Sequence, residues 1–255
     1  VSPGGPARPS GSACPSGSAC PSGSACPSVD ERRALWEALS VVEDWVGGGV
    51  RTERAEPDFA AASSRAAARG SPGDLEAIAA EVRSCAACAL ASTRTNPVPG
   101  EGAVEPLVLV VGEGPGAEED ASGRPFVGPA GQLLDKMLAS IGLDRRTNCF
   151  IANVVKCRPP RNRDPEPAER DACLGYLRAQ VRALRPRAIL CAGRIAAQAL
   201  LGTTEGIGKL RGPWREFEGL PVLATYHPSA LLRDESLKRP AWEDLKKLRD
   251  FLNAG

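Results

Sequence analysis

Four short apolar runs that alternate with helical segments constrain this chain more than any other feature. The runs are Leu107–Val111, Cys149–Val155, Ala188–Ala192 and Pro221–Thr225. Between and after them lie segments that read as helices, at Ala130–Ile141, Glu166–Leu184, Arg194–Leu201 and near Trp242–Leu252. Such alternation argues for a parallel sheet covered on both faces, because parallel neighbours need a long crossover and a helix supplies it. In sheets of this kind ligands bind beyond the carboxyl ends of the strands. The residues just after each run are therefore where chemistry is expected.

Ahead of the alternation the chain has a different character. The hexapeptide PSGSAC occurs three times between Pro9 and Cys26. It offers too little apolar surface to offset chain entropy, so residues 1–28 are expected to be a disordered tail. Over 30–46, Leu35, Trp36, Leu39, Val42 and Val46 share one helical face, with Asp30 as N-cap and Gly47-Gly48-Gly49 as the stop. An Ala/Ser/Arg-rich linker completes the stretch 29–70. Ser71-Pro72 opens a further helix carrying Leu75, Ile78, Ala79 and Val82, and residues 71–255 are expected to form the working domain.

The 255 residues are enough for a substantial core. No apolar run reaches the roughly eighteen residues of a membrane helix, and the opening VSPGGPARPS lacks a signal-peptide core, so a soluble, cytoplasmic protein without a membrane partner is expected. The net charge of +1 conceals an asymmetry: residues 1–135 hold 10 Lys+Arg against 18 Asp+Glu, and residues 136–255 hold 22 against 13. A basic half fits a polyanionic partner, although solvated surface charge gives the same sum.

Of nine cysteines, Cys14, Cys20 and Cys26 belong to the repeat. Cys149 and Cys191 lie inside apolar runs and read as small buried hydrophobes. Cys85 and Cys88 form a Cys-x-x-Cys pair, with Cys157 and Cys173 following after 68 and then 15 intervening residues. In a cytosolic chain a close pair signals metal or redox chemistry more often than a disulfide. Four thiolates take zinc or an iron–sulfur cluster, and spacing alone does not choose between them.

Three further motifs sit at the strand ends. Gly112-Glu113-Gly114-Pro115-Gly116 superficially matches a dinucleotide turn, yet Pro115 lacks an N–H and Glu118, Glu119 and Asp120 would repel a pyrophosphate. The glycines instead allow close backbone approach to a flat, neutral ligand. Phe126 could stack on such a ligand or be a core ring. Asn153 lies at the end of the second run; its amide can accept from a ring N–H while donating to a neighbouring carbonyl, the pattern on the edge of uracil and the reverse of cytosine. His227, the only histidine, follows the last run in Tyr226-His227-Pro228-Ser229, where a donor could stabilise charge developing on a leaving group.

Together, Gly112–Gly116, Gly123–Gly128, Asn153–Pro160 and His227–Ser229 resemble the family 4 uracil-DNA glycosylases, over about Leu75 to Leu252. The amphipathic segment 30–46 is similar to an N-terminal helix many members carry. The resemblance implies a three-layer α/β/α sandwich with a short parallel sheet, acting on uracil-containing DNA in base excision repair; a monomer is expected. It implies a [4Fe–4S] cluster on Cys85, Cys88, Cys157 and Cys173, structural and not a redox centre in the reaction. By the same resemblance Phe126 stacks on a flipped base, Asn153 reads its edge, and His227 supports the departing uracil. Glu113 and Gly114 would line the pocket through backbone groups, with Glu113 orienting water or holding the loop. Lys156, Arg158, Arg161 and Arg163 are the candidates for DNA phosphate contacts.

Two departures accompany the match. Position 114 is Gly where many relatives have Ala, and no histidine occupies the basic loop through which some relatives crosslink to uracil, so turnover is expected. The rival readings are a non-catalytic uracil- or DNA-binding iron–sulfur module, a zinc-clamped nucleotide-binding protein and an electron carrier.

Overall fold

A computed structural model of the chain describes residues 72–254. The tail over 1–28, the helix over 30–46 and the linker behind it lie outside the described residues. The helices are α1 (Pro72–Ser84), α2 (Ala117–Ser122), α3 (Pro129–Ala139), α4 (Pro167–Leu184), α5 (Arg194–Leu201), α6 (Ile207–Leu210), α7 (Pro228–Arg233) and α8 (Lys238–Asn253). The strands are β1 (Glu101–Gly102), β2 (Val108–Gly112), β3 (Cys149–Asn153), β4 (Ala188–Ala192), β5 (Arg215–Phe217) and β6 (Leu220–Thr225).

The strands form one sheet in the order β1-β3-β2-β4-β6-β5. The four central strands run parallel, as their apolar runs predict. The two edges differ from that expectation, because β1 pairs antiparallel with β3 and β5 antiparallel with β6. Neither edge strand is apolar: β1 is Glu-Gly, and only Phe217 of β5 is buried. β5 turns into β6 through Glu218 and Gly219, both at positive φ (51° and 75°), as a tight two-residue hairpin requires.

Side-chain alternation along the central strands sorts two cores onto opposite faces. Val108 and Val110 pack with Leu134 and Leu138 of α3 and Leu245 and Leu248 of α8. Leu109 and Val111 pack with Leu177 and Val181 of α4 and Ala196 and Ala197 of α5. Both faces of the sheet are thus covered, giving three layers, which is why these strands read as continuous apolar runs. Cys149 and Cys191 are fully buried among them. From β2 the chain passes to β3 on one side and later to β4 on the other. That reversal opens a crevice beyond the carboxyl ends of the strands.

A buried ion pair ties α8 to the end of β6. Asp244 of α8, with no exposed surface, accepts two bonds of 2.9 Å from the Arg211 guanidinium. It accepts a third, also 2.9 Å, from the Thr225 hydroxyl at the end of β6. Asp244→Ala leaves the arginine unpaired, and we expect a loss of about 3 kcal/mol by chemical denaturation, the lower end of the range for buried pairs because Arg211 keeps some solvent contact.

Candidate active site

The carboxyl ends of β2, β3 and β6 converge on a cavity of about 340 Å³ whose lining includes Glu113, Gly114, Phe126, Asn153 and His227. The sequence-derived candidates for catalysis and base binding therefore share one cavity. Gly112 and Asn153 are paired in the β2–β3 ladder. A Cβ on Gly112 would lie 2.4 Å from Asn153 Oδ1 and 2.6 Å from the Phe126 ring, so only glycine admits both neighbours. On Gly114 a Cβ would meet Val155 Cγ2 at 2.7 Å.

Phe126 is buried at φ 52°, a left-handed conformation that side chains rarely adopt, and its surroundings hold it there. Arg145 donates to the Pro125 and Phe126 carbonyls, each at 2.9 Å. Gly131 lets α3 approach so closely that a Cβ there would stand 1.9 Å from the Phe126 oxygen. The Phe126 and His227 ring centroids are 5.6 Å apart and tilted by 33°.

Glu119 ties the turn to this loop. One carboxylate oxygen accepts the Gly116 N–H at 3.0 Å, and the other accepts the Val127 and Gly128 N–H groups at 2.9 and 3.0 Å. Asp120 caps Thr95 and Asn96 in the same way. The acidic run that argues against phosphate binding is therefore largely structural. Its signal was the glutamate three residues after Gly116, the spacing of a capping residue.

His227 precedes α7, and its Nδ1 accepts the Ser229 N–H at 3.1 Å with the Ser229 hydroxyl at 2.8 Å. A ring nitrogen that accepts a backbone N–H holds no proton, so in the neutral ring Nε2 is the donor. Burial, with Arg233 nearby, pushes the imidazole down to about 4, so it is neutral at pH 7. Gly193, at φ 103° beyond β4, clears space for it: a Cβ there would lie 2.9 Å from His227 Cβ. Burial, reinforced by Asp164 and opposed by Arg194 and Arg170, raises the Glu113 carboxyl to about 7. The Asn153 side chain is buried, and its Oδ1 has no hydrogen-bond partner. An unpaired buried acceptor costs about 1–3 kcal/mol, which a ligand donor would recover.

The four candidate phosphate contacts do not form one group. Lys156 corrects the expectation, because it is 1% exposed. Its Nζ donates to the Asn153 carbonyl at 2.9 Å and to Gln180 Oε1 at 2.7 Å, so it cannot meet a phosphate. The segment doubles back against α4, which a local reading of alternating charge could not reveal. Arg163 lines the cavity but is held by both carboxylate oxygens of Glu169, at 2.7 and 2.8 Å. Arg158 donates to Asn162 Oδ1, and Arg161 is exposed at φ 55°. Arg233 joins the cavity rim and was not singled out from sequence.

Cys85, Cys88, Cys157 and Cys173 line one small separate cavity with Arg94, Lys156 and Tyr176. Among the described residues, no three Cys, His, Asp or Glu side chains already stand in closed metal-site geometry. The donor set nevertheless suits a thiophilic metal. Arg94 donates to Cys157 Sγ at 3.0 Å and the Lys156 N–H to Cys173 Sγ at 3.3 Å, and such bonds favour thiolates. Burial pushes the Cys173 thiol up to about 11, so a bound cation is what would draw out its proton.

The sequence profile of the uracil DNA glycosylase superfamily matches residues 99–246. A type-4 uracil-DNA glycosylase of Archaeoglobus fulgidus is 45% identical over 185 residues, covering 69% of this chain and 92% of that protein. One of Thermotoga maritima is 44% identical over 182 residues, covering 70% and 94%. A type-5 uracil-DNA glycosylase of Pyrobaculum aerophilum is 37% identical over 153 residues, covering 53% and 67%.

Gly112→Ala tests the close packing at the cavity. Displacing Asn153 and Phe126 should reduce kcat/KM about a hundredfold in a uracil-release assay, with circular dichroism unchanged.

Proposed function

This chain belongs to the type-4 uracil-DNA glycosylases, and we propose that its strand-end cavity receives a uracil flipped out of DNA and hydrolyses the N-glycosidic bond. The unpartnered buried Oδ1 of Asn153 carries this reading. That oxygen accepts the uracil N3–H, and the amide NH₂ donates to the adjacent O4. Cytosine presents an acceptor at N3 and a donor at N4, so it leaves the amide doubly mismatched. The target base must leave the stack to reach the cavity, and the Phe126 ring supports it there.

As the C1′–N1 bond breaks, its electron pair passes to the uracil ring and develops as charge on the carbonyl oxygens. The Nε2–H of a neutral His227 donates to one of them without transferring its proton. Water adds to C1′, and the carboxylate of Glu113 orients that water and takes its proton. The uracil anion then takes up a proton from solvent and Glu113 returns its own, so the products are uracil and an abasic site. The same reading has the protein act as a monomer in the cytoplasm. Among the described residues no helix is long and apolar enough to cross a membrane.

The all-thiol donor set fits the [4Fe–4S] cluster implied for this family, with Cys85, Cys88, Cys157 and Cys173 as its ligands. The cluster would supply structural crosslinking and not a reaction step. Arg158 and Arg161 contact backbone phosphates, with Arg163 shaping their loop through Glu169.

The decisive test incubates purified protein with an end-labelled oligonucleotide carrying one uracil, followed by alkali, beside a cytosine control. Uracil-dependent strand cleavage is expected; binding without release of uracil would instead identify a non-catalytic module. Asn153→Ala should lose about a hundredfold in kcat/KM and most of its preference for uracil. His227→Ala should lose about 10²–10³ in kcat with DNA affinity retained.

The pH profile separates the two titrating groups. The Glu113 carboxyl near 7 predicts kcat/KM rising with pH through neutrality as the carboxylate forms, and Glu113→Gln should flatten that limb. His227, pushed down to about 4, stays neutral across the same range and adds no second limb there. Binding should weaken as salt rises, and Arg161→Ala should reduce the log–log salt slope by about 1.

A further inference from the structure

We propose that Lys156 is the positioning residue for the base-reading amide: its buried ammonium, clamped between Gln180 and the Asn153 carbonyl, holds the end of β3 so that Asn153 Oδ1 keeps its direction into the cavity. The inference rests on the reading of Asn153 given above.

The contacts form a continuous brace. Lys156 Nζ donates to Asn153 O at 2.9 Å and to Gln180 Oε1 at 2.7 Å. Gln180 is itself buried, and its Nε2 donates to the Pro99 carbonyl at 2.7 Å. The Lys156 carbonyl accepts the Val98 N–H, also at 2.7 Å. The next two residues of the β3 strand end are fixed from the other side, where the Val154 and Val155 N–H groups bond Gly112 O and Glu113 O at 2.9 and 3.1 Å. Neutral bonds to β2 thus secure one side of the segment and a charged donor secures the other. Rotation of the peptide plane after Asn153 would break the charged bond, which is about twice as strong as a neutral one.

Packing alone does not explain the residue. Burying an ammonium is costly, and a methionine of similar length would fill the space without that cost. The hydrogen-bond partners of this ammonium are an amide and a carbonyl, not a carboxylate, and the one anionic group whose field it feels is the Cys173 thiol across the cysteine cavity. What it does that methionine could not is grip the carbonyl of the residue that meets the base. The arrangement sets the precision of base discrimination without touching the base.

Lys156→Met in the iron-loaded protein is the test. On a single-uracil oligonucleotide, kcat/KM should fall about tenfold to a hundredfold, the effect of removing a charged hydrogen bond. Inhibition by free uracil should weaken in parallel, while iron content and visible absorbance match the parent. In an Asn153→Ala background, Lys156→Met should add less than about twofold, because it acts through that amide. Parent-like kcat/KM in Lys156→Met, or a loss that multiplies fully with Asn153→Ala, overturns the inference.

Should Lys156→Met fail to fold or lose iron, Gln180→Met removes the clamp from α4 at a distance from the cysteines. The same non-additivity with Asn153→Ala is then expected, and full additivity is fatal. The two readings fail separately. If Asn153→Ala still excises uracil and rejects cytosine, the amide reading falls and takes this one with it. If Asn153→Ala loses both and Lys156→Met loses neither, only the role of Lys156 falls.

Discussion

Gly112 and Asn153 stand side by side in the parallel β2–β3 ladder, and the Phe126 loop and the glycine turn are set relative to that pair. The register brings the amide over a residue without a side chain, and the Phe126 ring fills what remains of the space. Phe126 in turn needs Arg145 on its carbonyl and Gly131 beneath it. Glu119 then ties the Phe126 loop back to the glycine turn. The cavity is therefore assembled from close approaches between backbone segments, with side chains closing gaps only a glycine could leave.

The same closeness governs the electrostatics. Removing water from His227 keeps the ring neutral, and the Ser229 N–H on Nδ1 fixes which nitrogen donates. Removing water from Glu113 brings its carboxyl near neutrality. One physical cause, desolvation, thus favours the uncharged form of both groups, and their different ordinary values place one out of range of neutral pH and the other within it.

Much of this was legible in the sequence because central strands buried on both faces must be continuous apolar runs. β4 and α5 match the expected boundaries, and Asn153 and His227 stand out as polar residues at or just beyond the ends of such runs. Edge strands are illegible for the opposite reason, since Glu101-Gly102 and Arg215-Glu216 face solvent on at least one side. Lys156 was misread because its neighbours Arg158, Arg161 and Arg163 suggest a solvated basic loop. Its actual partner, Gln180, comes from a helix 24 residues away. Arg145 escaped notice, and Glu119 was read only as a repelling charge, for a related reason: their work is done on backbone groups, and only the capping spacing of Glu119 after Gly116 marks it in the sequence.

The stretch Asn153-Val154-Val155-Lys156-Cys157 packs five consecutive residues at 6% exposure or less. It contains the Asn153 amide of the strand-end cavity, two core valines, the buried Lys156 ammonium and a thiol of the cysteine cavity. Each duty has its own chemistry and its own partners on a different part of the domain. A shift of the backbone that relieves one position disturbs the other four, so compensation by a neighbour is closed off. Mutational drift here is confined to replacements that preserve volume, polarity and backbone path together, and an insertion or deletion within it would part the cavity from the thiols.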